Sequence, residues 1–400
     1  MTDRRSPEYG CIDLTSSRPE TIRVAFWNLQ NLFDIEPSPV ASELGFTAIR
    51  GWGRRSFEAK VTNLADIIRR MFDGDGPGLI GLAEVENERV VQHLVELVGR
   101  DDYAFVTAND SRCTATGTAL IYSKEDFDEE SVQVHSHLVH LRFPTCDILE
   151  VRLRTRANQS DLNVLVNHWP SRREENSDAF RQTVASHCAS VIDRHLKLNR
   201  RDYVELPDTE ISRQQLHRHW NGNVLLMGSF NDPPWAHSLH HILNAGYSLR
   251  AAQQPAPFSR DALPSWRSYA SYRPELFNPA WGLLARPDLG TCVDVTDQRR
   301  ICVYDQLIFS GGLAAGKSGL QVVTDAQKIP VMNCLAASTL TDELGHPIPF
   351  ACSNQSGFSD RLPVGLTLQV VPRRHVSATA SDMAGQLEPQ FSDDDGTTHG

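Results

Sequence analysis

The sequence predicts an α/β fold, on three observations. Short apolar runs at 22–29, 79–83, 164–166 and 224–227 have strand length, and polar or glycine-containing loops follow them. Between the first two runs, Phe57, Val61, Leu64, Ala65, Ile68 and Met71 recur at three- and four-residue steps, the pattern of an amphipathic helix. The 400 residues, 40% of them hydrophobic, can bury a sizeable core, and the spread of the strand-like runs favours one large domain over two.

The elements follow in order. Residues 1–20 are polar and aperiodic and are expected to form a disordered tail ahead of a domain spanning 21–375. After the first strand a helix is predicted over 56–72, ended by the Asp73-Gly74-Asp75-Gly76-Pro77-Gly78 segment. The second strand leads into a helix at about 88–98, and the 164–166 strand precedes another at about 178–198. Residues 200–220 are strongly charged without clear periodicity and read as a surface insertion. Residues 376–400 read as an acidic disordered tail that includes Asp393-Asp394-Asp395.

Composition narrows the function. The net charge of −11 opposes nonspecific attraction to a polyanion over the whole surface, although it leaves a local basic cleft open. The first residues have no apolar signal-like core, and no stretch approaches the ~18 apolar residues of a spanning helix, so a soluble, cytoplasmic protein is expected. The eight cysteines are scattered without a Cys-x-x-Cys pair and read as buried thiols in a reducing compartment.

Asn223 to Pro233 is the most informative stretch. Val224-Leu225-Leu226-Met227 suits a strand covered on both faces, and Gly228-Ser229-Phe230-Asn231-Asp232-Pro233 presents short polar side chains in a loop at its carboxyl end. Elsewhere Asn28, Glu84, His168 and Asp305 lie at the ends of, or just after, apolar runs, and Asp360-Arg361 precedes Pro363. Hydrolysis of a phosphoester needs a metal to neutralise oxygens, a group that aligns or deprotonates water, and donors for the developing charge.

Together these segments resemble the endonuclease/exonuclease/phosphatase family, the DNase I-like metal-dependent phosphoesterases. The segments 22–34, 79–87, 164–172, 228–233, 303–310 and 358–364 follow the family's order. The resemblance implies an α/β four-layer sandwich of two facing mixed β-sheets flanked by helices, with the cleft where strand-end loops gather. It implies Mg²⁺ or Mn²⁺ held by Glu84, Asn28 and Asp360, with His168, Asn231, Asp305, Ser229 and Arg361 around the phosphate. The partner would be a phosphoester substrate or ligand, nucleic acid among the candidates.

Two departures stand out. Ser229 occupies the place of the family Asp that aligns or deprotonates water, and a serine hydroxyl is a poor base without an adjacent His or Lys. Arg361 replaces the family His. It keeps positive charge and can pair with Asp305, but it cannot transfer protons. The expectation is therefore a nuclease- or phosphodiesterase-like protein with catalysis weak or lost, the alternative being a pseudoenzyme that binds phosphate-bearing ligands or a protein partner through the same cleft.

Other patterns have plainer readings. Residues 311–318 satisfy the Walker A expression, yet 319–324 reads as a strand where a P-loop needs a helix. His237, His240 and His241 fit a helix face better than a metal site. Arg172, Arg173 and Arg181 suit either phosphate contact or solvated surface charge. Asp232 is expected to point away from the loop's reactive side.

Overall fold

The computed structural model describes residues 20–372, apart from 37–40, 42–45, 109–115, 140–144, 173–175, 286–289, 295–299, 324–333 and 336. The acidic C-terminal segment and most of the N-terminal one lie outside the described residues, as do Arg173, Cys11 and Cys113.

In chain order the strands are β1 (Thr21–Leu32), β2 (Leu79–Val85), β3 (Tyr103–Thr107), β4 (Gly117–Ser123), β5 (Gln133–His137), β6 (Ile148–Arg154), β7 (Asp161–His168), β8 (Val224–Ser229), β9 (Ala245–Gly246), β10 (Leu276–Phe277), β11 (Cys292–Val293), β12 (Ile301–Cys302), β13 (Asp305–Ser310), β14 (Leu320–Val322) and β15 (Val364–Val370). One six-stranded sheet runs β14-β15-β1-β2-β4-β3 and a seven-stranded sheet runs β5-β6-β7-β8-β13-β10-β9; β11 and β12 form a separate ribbon. Both sheets are mixed: β1 is parallel to β2 and antiparallel to β15, while β7 is parallel to β8 and β8 antiparallel to β13.

Alternation along the strands builds the layers. Val24, Phe26, Leu79 and Leu120 from the first sheet meet Leu149, Val164, Leu225, Met227, Leu307 and Phe309 from the second in the central core. The opposite face of the first sheet, through Ala25, Trp27, Ile80 and Leu82, packs on helices α1 (Arg54–Arg70) and α2 (Glu88–Val98). The opposite face of the second, through Leu165, Val224, Leu226 and Ile308, packs on α3 (Ser177–Leu196). This is the four-layer sandwich expected from sequence. Helix α2 begins where the Asn87 side chain accepts from the Val90 amide at 3.1 Å, satisfying an orphan donor, and ends at the left-handed Gly99.

The segment 200–220, read from sequence as a surface insertion without periodicity, folds as two short helices, α4 (Arg200–Glu205) and α5 (Glu210–Trp220). Tyr203 and Leu216 are buried with Leu198, Phe258 and Tyr269 in a small core of their own. The charged residues conceal a stripe of only a few apolar positions, too sparse for periodicity to register. At 311–318, a Cβ on Gly311 or Gly312 would collide with the carbonyl oxygens of Ala252 and Asn221 respectively. Close backbone approach therefore accounts for those two glycines, and the strand expected afterwards is β14.

Candidate active site

The cleft lies where strand ends of the two sheets meet. On the first sheet, Asn28 sits on β1 opposite Ala83 of β2, and the register breaks immediately afterwards. Gln30, Asn31 and Glu84 adopt left-handed backbone conformations, at φ of 55°, 56° and 61°. Such geometry is costly for side chains larger than glycine and persists only where the surroundings over-determine it. Here the hydrogen bonds do so: the Asn31 amide donates to Glu84 Oε2 at 2.8 Å, Asn28 Nδ2 donates to Glu84 Oε1 at 2.8 Å, and the Gln30 amide donates to Asn28 Oδ1 at 2.9 Å. Strand β1 turns away at its end and leaves the Glu84 carboxylate in the cleft.

On the second sheet, His168 pairs in register with Ser229, and Ser229 with Asp305. Three site residues thus occupy one rung across β7, β8 and β13. The Ser229 hydroxyl donates to Asp305 Oδ1 and accepts from Asn28 Nδ2 at 3.1 Å, joining the two sheets. Arg361, just before β15, donates to Asp305 Oδ2 at 3.3 Å and to Asn231 Oδ1 at 3.1 Å. Its own carbonyl is held by Trp27 Nε1 at 3.0 Å. Asn231, left-handed at φ 52°, donates from Nδ2 to the Trp169 carbonyl at 2.8 Å.

His168 bridges two neighbours, with Nε2 3.4 Å from Glu84 Oε1 and Nδ1 3.5 Å from Cys146 Sγ. Burial alone would lower its pKa, but Cys146 and Glu84 outweigh it and raise the imidazole to about 10. Burial would likewise raise Glu84, yet His168, Arg361 and Asn28 hold its carboxyl below the ordinary value. Near neutral pH the cleft therefore carries an imidazolium, a guanidinium and a glutamate carboxylate.

All eight predicted site residues converge on this region. Asp360 is the most open, its side chain half exposed and its Oδ1 3.9 Å from Arg361 Nε. Glu84 and Asp360 are hard oxygen donors that suit Mg²⁺, which is usually held by one or two carboxylates and completed by water and phosphate oxygens. Among the described residues no group of three or more His, Cys, Asp or Glu side chains is arranged to hold a metal, His237, His240 and His241 included. Asn28 turns its amide NH₂ to Glu84 and Ser229, so it orients the carboxylate.

The arginines divide. Arg181 is fully buried, ion-paired to Asp232 with Nε 2.8 Å from Oδ1, and bound to Asp178 and the Pro170 carbonyl, so it is neither a surface charge nor free for phosphate. Arg172, more than a third exposed, also reaches Asp232 Oδ1, at 2.7 Å. With Ser238 donating as well, Asp232 is saturated as a structural anchor.

Two residues near the site escape sequence reasoning. Lys60 is 1% exposed, and its Nζ donates to the Gln30 carbonyl at 2.6 Å and the Asn31 carbonyl at 3.3 Å, directly behind the turn that aims Glu84. A lysine on the apolar stripe of α1, three residues after Phe57, was the available signal. Cys146 is the other, and nothing in its local sequence marks it.

Two facing mixed sheets with polar groups gathered at one edge define a DNase I-like α/β sandwich. The sequence profile of the endonuclease/exonuclease/phosphatase family matches residues 23–255, more than half of the chain, and the chain belongs to that family. Similar solved structures include an endonuclease/exonuclease/phosphatase family protein from Bacteroides thetaiotaomicron (12% identity, TM-score 0.46, covering 88% of this chain and 98% of that one). The human Nocturnin catalytic domain with bound sulfate is similar at 14% identity and TM-score 0.45, covering 88% of this chain and 95% of that one. D. rerio TDP2 complexed with single-strand DNA product is similar at 11% identity and TM-score 0.46, covering 88% and 99%. No curated protein matches the chain significantly. No helix among the described residues is long and apolar enough to cross a membrane.

Proposed function

We propose that the cleft binds a phosphate-bearing ligand beside a divalent metal and hydrolyses it weakly or not at all. The observation that carries this reading is the state of Asp305: buried, it accepts from Ser229 and from Arg361. The two positions that would share proton transfer hold a hydroxyl bound to a carboxylate and a fixed cation. Asp232, the nearest other carboxylate of the loop, is saturated by Arg172, Arg181 and Ser238. What persists is charge complementarity, with Arg361 and His168 facing a phosphoryl group and Glu84 with Asp360 facing a metal. Bound Mg²⁺ or Mn²⁺ would neutralise phosphoryl oxygens there.

The test compares wild type with Ser229→Asp, Arg361→His and the double variant, in Mg²⁺ or Mn²⁺, on plasmid, single-stranded oligonucleotide and bis-p-nitrophenyl phosphate. The double variant is expected to exceed wild type by about 10²- to 10⁴-fold, the range of a general acid–base group, and Glu84→Ala to remove that activity. A wild type as fast as the double variant, or activity indifferent to Glu84→Ala, overturns the proposal. The pseudoenzyme reading is favoured by the same Asp305 contacts and wins if wild type is silent while still binding inorganic phosphate in the presence of Mg²⁺.

A further inference from the structure

We infer that Lys60 is a positioning residue for the metal carboxylate: its buried ammonium fixes the one peptide unit whose amide orients Glu84, and so sets the affinity of the cleft for a divalent cation. Lys60 Nζ donates to the Gln30 carbonyl at 2.6 Å, and the Asn31 amide donates to Glu84 Oε2 at 2.8 Å. That carbonyl and that amide belong to the same peptide plane. The plane is trans, so its oxygen and its hydrogen point to opposite sides, with the ammonium behind the turn and the carboxylate in front of it. Hydrogen bonds in such a chain polarise one another, so the cation strengthens the amide as a donor as well as holding it in place.

The setting of Lys60 shows what this position requires. The side chain is buried on the apolar stripe of α1, with Nζ 5.8, 5.9 and 5.7 Å from the ring centres of Phe46, Trp52 and Phe350. Cation–π attraction within about 6 Å offsets part of the cost of burying the charge. A methionine would fill the same space with no charge to desolvate; what it lacks is the hydrogen bond to the turn. Gln30 and Asn31 are both left-handed, at φ of 55° and 56°, a strained pair that needs outside support, and Nζ also reaches the Asn31 carbonyl at 3.3 Å. The Phe350 amide donates to Gln30 Oε1 at 2.9 Å, so the segment that supplies a ring to Lys60 also grips the turn.

Without the ammonium the Gln30 carbonyl loses its donor, and the peptide between Gln30 and Asn31 can turn over and withdraw its amide from Glu84. Asn28 would still hold Oε1, at 2.8 Å, but Oε2 would lose its backbone donor and the carboxylate its fixed plane. Partners one step removed from a metal typically carry about 10- to 100-fold of its affinity. The inference rests on the reading of Glu84 as a metal ligand; the hydrogen-bonded chain does not.

The test measures Mn²⁺ binding to the full chain by loss of the free-ion electron paramagnetic resonance signal, in wild type, Lys60→Met and Leu216→Ala. Lys60→Met is expected to bind about 10- to 100-fold more weakly than wild type. Leu216→Ala, which loosens a separate core, should bind as wild type does, so that lost stability alone is not what the assay reads. Equal affinity in wild type and a folded Lys60→Met overturns the inference while leaving Glu84 as a ligand, and so does equal weakening in Leu216→Ala. A wild type that binds no Mn²⁺, or binding undiminished in Glu84→Ala, overturns the metal reading itself and the inference with it. Should Lys60→Met fail to fold, lysine-labelled wild type decides by nuclear magnetic resonance: saturating Mg²⁺ should move the Lys60 signal more than that of Lys197, a buried lysine paired with Asp193. An unmoved Lys60 overturns the inference.

Discussion

Arg181→Met tests whether the loop beside the cleft is anchored by a buried ion pair. Arg181 is 0% exposed and Asp232 4%, with Nε 2.8 Å from Oδ1. At an effective dielectric of about 20 the attraction at that distance is about 6 kcal/mol, and desolvation of both charges offsets much of it. Removing one partner nevertheless strands the other, which typically costs about 3–5 kcal/mol. Arg172 still reaches Asp232 Oδ1 at 2.7 Å, so the lower end, about 3 kcal/mol, is expected. For a chain of this size that corresponds to a fall in Tm of about 4 °C. Urea unfolding of wild type, Arg181→Met, Asp232→Asn and the double variant closes the cycle, and the two single losses should not add. A loss below about 1 kcal/mol for Arg181→Met, the range of an exposed pair, refutes the anchoring argument.

Further expectations follow from other buried groups. Burial lowers Lys60 to about 8 despite the raising influence of Glu84, Asp360 and Cys352. Its folded pKa then lies below the unfolded value, so the unfolded chain binds more protons between about pH 8 and 10.5 and stability should rise with pH across that window. Chemical denaturation at stepped pH should show that rise in wild type and lose it in Lys60→Met; an unchanged slope counts against a buried, titrating lysine. Glu150, held low against burial by His137 and His195, likewise has a folded pKa below its unfolded one, so stability again rises with pH, here across the acid range. Its contribution is full above the unfolded carboxyl value and disappears as pH falls, so Glu150→Gln should flatten the acid limb of the stability profile. Leu216→Ala, at a site 1% exposed, should cost about 2–5 kcal/mol. Hydrogen exchange should show the loosening concentrated in α4 and α5, and uniform loosening of both sheets would contradict a separate small core.

Much of this molecule was legible in its sequence, for identifiable reasons. The α2 boundaries coincide with expectation because Asn87 is a start signal and Gly99 a stop signal. Strands β1, β2, β7 and β8 showed because central strands buried on both faces read as apolar runs. Asp305 opposite Arg361 was anticipated because the family resemblance pairs these two positions and arginine keeps the complementary charge. The residues that the sequence misled on or left unread have side chains whose destination depends on tertiary packing. Arg181 and Lys60 carry full charges yet lie inside, because each meets partners supplied by distant segments: Asp232 for one, and the carbonyls of Gln30 and Asn31 for the other. Cys146 reaches His168 only across the loop that precedes β6.

The rung shared by His168, Ser229 and Asp305 also bears on how such a cleft changes over time. Its placement is dictated by backbone pairing and by apolar neighbours such as Leu225, Met227, Leu307 and Phe309, none of which contributes to the chemistry. Each rung position acts as a socket whose occupant can be exchanged while the ladder holds its register. A lineage can drift from turnover to mere recognition, and back again, through single codon changes that leave the scaffold intact.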